Sequence, residues 1–190
     1  AEHANAASQA FRGYLENNNH PLRIDLDELA DPGKVSVHQD GAIIQIYMPR
    51  VFEGVPVRGS HLTATINHGN LVLFGTDNWG DIKSSTAPGI TKKAADDAVQ
   101  VHVGPYAVSG EWGKSELVLI PIAVGRNPKQ VAVGKGIDYR LAWVIRPAFD
   151  GDQRRFEALV DAQTGQLLSF EDTNHYAEVK GGVLPVSNDG

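Results

Sequence analysis

The chain has no cysteine in its 190 residues. That excludes disulfides, thiolate metal sites and cysteine nucleophiles together. It also lacks a long apolar run. Leu117 to Val124 is interrupted by Pro121 and falls far short of the roughly 20 apolar residues a membrane-spanning helix needs. No block of Lys and Arg occurs. The net charge is −6 with both signs interspersed, so nothing here meets a phosphate backbone, and nucleic acid is not an expected partner.

Catalytic patterns are missing too. The histidines (His3, His20, His38, His61, His68, His102 and His175) form no His-x-x-x-His pair, and within the predicted helices none has a carboxylate three or four residues away. A zinc site is therefore not expected in this chain. A hairpin brings at most His61 and His68 together, and two ligands hold a metal weakly. Gly59-Ser60-His61 lacks the glycine spacing of a nucleophile elbow. Gly134-Lys-Gly136 lacks the strand–loop–helix setting of a phosphate loop. The expectation is a protein that is not an enzyme and carries no cofactor of its own.

What is present is a double alternation of one helical stretch followed by strands. Ala7, Ala10, Phe11, Tyr14 and Leu15 recur at three- and four-residue steps, which predicts a helix over about 4–15. Asn17-Asn-Asn-His-Pro21 ends it. Period-two patterns then predict strands over 34–38, 42–52, 55–58, 61–67 and from 71 onward, with Asp40-Gly41, Glu53-Gly54 and His68-Gly-Asn70 as turns. The polar stretch 81–89 is the expected boundary. Beyond it, Thr91 reads as the cap of a helix over 92–103, stopped by Gly104-Pro105. Further strands are predicted near 116–124, 139–147, 154–162 and 166–171, with Thr164-Gly165 as the last tight turn. The halves share an architectural pattern and negligible identity.

Three motifs carry a family resemblance. Phe52-Glu-Gly-Val-Pro-Val-Arg-Gly-Ser-His-Leu62 is similar to the x-G-x-P-V-x-G-x-x-L signature of fungalysin/thermolysin propeptide domains. Pro88-Gly-Ile-Thr-Lys-Lys-Ala-Ala-Asp-Asp-Ala98 resembles the helix start of a PepSY module. Arg140-Leu-Ala-Trp-Val-Ile-Arg146 with Phe156-Glu-Ala-Leu-Val-Asp-Ala-Gln-Thr-Gly-Gln-Leu-Leu168 resembles that module's closing strands. The likeness spans about residues 5–173.

The resemblance implies an α+β fold of two tandem cystatin-like modules, each a helix packed on an antiparallel sheet, over 1–85 and 90–173. An extended C-terminal tail, 174–190, follows them. It also implies a function: the secreted (extracellular or periplasmic) propeptide of a zinc metalloprotease, an intramolecular chaperone and autoinhibitor. The partner is then a cognate metalloprotease catalytic domain, which would hold the zinc. The tail leads to the cleavage junction, with Val183, Leu184, Pro185 and Val186 in the protease cleft and Gly190 close to the cut. Arg50, Phe52, Trp79, Trp112 and His175 are the expected interface residues. Ala1 at one end and Ser187-Asn-Asp-Gly190 at the other read as cut ends of a longer precursor. The alternative is a stand-alone PepSY-type protease inhibitor or cell-envelope binding module.

Overall fold

The computed structural model describes residues 2–18, 23–30, 33–124 and 134–174. Helix α1 covers Glu2–Asn18 and lays Phe11 and Leu15, one helical step apart, into the first core. It runs one turn past the expected end. Asn17 and Asn18 donate from their side chains to the carbonyls of Gly13 and Tyr14, at 2.8 Å each. A short 3-10 turn, Leu26–Glu28, is capped by Asp25, whose carboxylate accepts from the Asp27 N–H.

Four antiparallel strands follow: β1 (Lys34–His38), β2 (Ile43–Phe52), β3 (Val55–Asn67) and β4 (Asn70–Asp77). Two hairpins turn on Glu53-Gly54 and His68-Gly69, all four with positive φ. Such turns match the twist of the strands they join. Ile46, Met48, Leu62 and Ala64 point at α1, and Phe74 makes edge contacts with both Phe11 and Tyr14.

Helix α2 (Lys92–Val103) starts where Thr91 accepts the Ala94 N–H, and Gly104 at φ +65° stops it. Its inner face, Ala95 and Val99, rests on Ile145, Ala158 and Val160. Lys92–Asp96 and Lys93–Asp97 pairs line the outer face. The strands beyond are β5 (Val108–Glu111), β6 (Glu116–Ala123), β7 (Ile137–Ile145), β8 (Pro147–Phe149), β9 (Phe156–Asp161) and β10 (Leu167–Asp172). β5 and β8 pair as a small separate ribbon. Too short to show a period of two, both are absent from the sequence reading.

The expected two helix-on-sheet cystatin-like modules are not what forms. The chain is mostly strand, with two α-helices among the described residues, and eight strands share one mixed sheet. Its order is β1-β2-β3-β6-β7-β9-β10, with β4 also on β3. The reason lies in the length of β3. β4 pairs with His61–Asn67 only, so the same edge of β3 is left open at its beginning. β6 takes that place, parallel, with Val57 opposite Leu119. Both residues are buried, in a cluster with Tyr139, Leu141 and Ala162. The sheet therefore continues from one half into the other.

The segment 81–89 is bound to the second half along its length. Ser84 donates to the Tyr139 carbonyl, Gly89 N donates to Ala162 O at 2.9 Å, and Gln163 Nε2 donates to Ala87 O at 2.8 Å. The opposite face of the sheet carries a charge relay. Glu157 on β9 pairs with both Arg146 (3.2 Å) and Arg58 on β3 (2.6 Å). β6 and β7 lie between those strands, so the Arg58–Glu157 pair bridges over the strands that carry buried Val118 and Val144.

The Thr164-Gly165 turn is held by Asp161, which accepts the N–H groups of Gln163 and Thr164 at 2.8 Å each. Burial raises the Asp161 pKa, but those backbone donors and Arg140 outweigh it, so the net shift is downward. A carboxylate with a depressed folded-state pKa contributes stability above its ordinary range near 3.8 and loses it as pH falls through the lower folded value. Asp161→Asn is expected to cost about 1 kcal/mol at pH 7. It should also flatten the acid limb of stability below about pH 4. Urea unfolding at several pH values checks both.

Candidate functional site

The site forms where the two halves meet, around Arg50. Pro49 has no N–H, and the β2–β3 register slips between Pro49 and Val51. Arg50 nonetheless keeps the regular alternation of β2, falling on the same buried face as Ile46 and Met48. Arg50 is turned inward and is only 3% exposed. A buried charge must be paired and fully hydrogen-bonded. Arg50 meets that condition: Nε and Nη2 both reach Glu28 Oε2 at 2.6 Å, and Nη1 donates to Gly80 O at 2.9 Å and to Tyr139 Oη at 3.1 Å. The guanidinium also stacks 4.2 Å from the centre of the Trp79 ring.

Tyr139, on β7, completes the junction. Its hydroxyl accepts from Gly80 N at 2.7 Å and donates to Asn78 O at 2.6 Å. Asn78 sits at φ +48°, and its amide donates to Gly59 O at 2.9 Å. The turn 78–80 that leaves β4 is thus clamped between β3 and β7. Tyr139→Phe leaves the buried Gly80 N–H and Asn78 carbonyl without this partner. The expected cost is about 1–3 kcal/mol in urea unfolding, with the far-ultraviolet circular dichroism unchanged.

Beside the clamp opens a cleft of about 220 Å³, lined by Arg23, Glu28, Arg50, Phe52, Trp79 and Asp81 among others. Asp81 is held at its rim by Lys135 at 2.6 Å, and that hydrogen bond lowers the carboxyl below its usual pKa. Gly134 fits only as glycine, because a Cβ there would lie 2.4 Å from Asp81 Oδ1 and φ is +81°. Every nitrogen of Arg50 is engaged, so Arg50 has nothing left to offer an anion, while Arg23 is a second guanidinium lining the cleft. Its other walls include the Trp79 indole, the Phe52 ring and the paired carboxylates of Glu28 and Asp81.

Three residues expected at an interface, Arg50, Phe52 and Trp79, therefore meet at one cleft. Trp112 does not join them. It stands beyond β5, 36% exposed, its indole N–H donating to Phe156 O at 2.7 Å and Arg155 5.5 Å from its ring. His175 and the tail residues Val183, Leu184, Pro185, Val186 and Gly190 lie outside the described residues. His61 and His68 do not meet. His61 pairs with Asp77 at 3.2 Å and stacks on Tyr47, while His68 sits in the hairpin turn bonded to Asn67. Among the described residues no cluster of three or more His, Asp or Glu side chains is placed to hold a metal.

Sequence reasoning missed Tyr139 and Glu28 as members of this site. Tyr139 looked like an ordinary strand residue, and Glu28 belongs to a single 3-10 turn with no period. The one legible signal was the period-two series Ile46, Met48, Arg50, which puts a charge on the face that the apolar residues bury.

No helix among the described residues is long and apolar enough to cross a membrane. No family model matches the chain, and no curated protein sequence matches it. Among solved structures it is distantly similar to the Bacillus megaterium YpeB C-terminal domain, at 13% identity and a TM-score of 0.39. That similarity covers 90% of this chain and 66% of the other, so the chain spans about two thirds of its neighbour's length.

Proposed function

We propose that the chain is the prosegment of a secreted zinc metalloprotease, a folding assistant and inhibitor with no chemistry of its own. One observation carries the reading beyond the sequence resemblance. Arg50, Phe52 and Trp79, chosen from sequence as contact residues, converge on the cleft where the two halves are clamped together. A rigid surface loses little entropy when it binds, so a preformed cleft favours docking of a large partner. The units 1–85 and 90–173 would supply that surface jointly. The segment from 174 would run on as an extended strand into the protease's substrate cleft, the mode by which clefts hold peptides. Zinc belongs to the partner.

The test is inhibition. Purified chain is added to the metalloprotease fraction secreted by its native source. The expected result is saturable inhibition, weakened by Trp79→Ala, with no effect on serine proteases of the same secretion. Equal inhibition of both classes, or of neither, contradicts the proposal.

A further inference from the structure

Away from the Arg50 cleft lies a second, larger concavity, about 660 Å³, at the C-terminal end of α2. Its wall is aromatic. Phe156 stacks on Phe170 at 5.1 Å and meets Phe149 edge-on at 5.5 Å, and His102 lies 5.1 Å from Phe170. Tyr106 stands at the rim, 72% exposed. Filling a core does not require such a ring, and no described element covers this groove.

The charges of the groove come from one loop. Asp152 grips Arg154 through both carboxylate oxygens at 2.7–3.0 Å, and the Arg154 guanidinium lies 4.9 Å from the centre of the Phe156 ring. This is a carboxylate, a cation and an aromatic face in contact, formed within the chain. Two residues earlier the same pieces recur without the cation. Asp150 lines the groove next to Phe149, exposed, and has no partner among the described residues. With Arg154 neutralised by Asp152, the groove is left with one uncompensated negative charge and electron-rich ring faces.

We infer that this groove takes a lysine or arginine side chain of a protein partner, its alkyl stem on the phenyl rings and its cationic head at Asp150. Ring faces attract cations, and the stem of a basic side chain covers apolar surface while its head stays at the carboxylate. The inference rests on reading the chain as a partner-binding protein and extends that reading to the class of side chain recognised.

The experiment uses the full chain, isotopically labelled, titrated with three capped tripeptides: acetyl-Ala-Lys-Ala-amide and its Glu and Leu counterparts. Amide chemical shifts of His102, Gly151 and Phe170 report the groove. The lysine peptide is expected to shift them saturably by about 10 mM. The other two should do so at least about threefold more weakly, the scale set by one exposed ion pair with a cation–π contact. Asp150→Asn, a surface change that leaves the rest of the spectrum in place, should weaken the lysine peptide by about threefold.

Three results would overturn the inference. One is equal shifts from all three peptides, the mark of a merely apolar groove. Another is no shift at about 20 mM of the lysine peptide. The third is a shift seen only in a chain ended at Asn174, which would give the groove to the chain's own following segment. None of these touches the protease-inhibition result, so the two readings fail separately.

Discussion

Replacing Arg50 with methionine is expected to lower the free energy of unfolding by about 3–5 kcal/mol, the usual cost of leaving one member of a buried ion pair behind. Methionine keeps an apolar stem against Trp79 but returns nothing to Glu28, Gly80 or Tyr139. Glu28, whose side chain is 16% exposed, would stay half-desolvated with no cation. The companion variant Arg50→Met/Glu28→Gln should recover part of the loss, because removing both charges removes the unpaired one. Urea unfolding followed by Trp fluorescence gives both numbers. A loss under about 1 kcal/mol for Arg50→Met would mean that the clamp between the halves is held by something other than this network.

Ending the chain at Asp172 is expected to weaken inhibition of the partner protease by at least about 100-fold, near 2.7 kcal/mol, while stability changes by less than about 0.5 kcal/mol. The core of the second half closes at β10, and the hydrogen bonds lost with Thr173 and Asn174 are peripheral: Thr173 N and Oγ1 to Arg155 O, Asn174 Nδ2 to Gln153 O, and Asn174 N to Asp172 Oδ1. Folding and inhibition should thus separate along the chain. A shortened chain that inhibits as well as the whole one would remove the tail from the protease cleft and leave the docking to the folded body.

Local patterns were legible where one face of an element meets a core. The helix after Thr91 is read correctly because a cap, a small-residue face and a terminating glycine all point one way. The hairpins at Glu53-Gly54 and His68-Gly69 follow from the glycine in each turn, which accepts positive φ freely. The architecture was not legible, because it turns on a single long-range event. Val57 meets Leu119 across 61 intervening residues, and that pairing converts two expected modules into one sheet. Nothing in either local pattern marks which edge of β3 stays open. The Arg58–Glu157 bridge shows the same limit, since each residue alone reads as a solvated strand charge.

The candidate site was half legible. Arg50, Phe52 and Trp79 stood out as a charge and two rings beside a proline in a strand and a loop. Their convergence required the buried face of β2, which Arg50 shares with Ile46 and Met48, and the hydroxyl of Tyr139, 89 residues later, that fixes it. Trp112 looked equivalent to Trp79 in sequence. The fold puts it on the β5 side, against Arg155 and Phe156.

On the function proposed above, this chain works by holding a zinc metalloprotease. The most direct measurement is intact mass and zinc content of what co-purifies with it from its native source. The expected result is a second chain of metalloprotease size, carrying about one zinc per complex and inactive until this chain is digested. A lone, zinc-free chain of 20.5 kDa would contradict it and shift the weight to an independent binding module with its partner unknown.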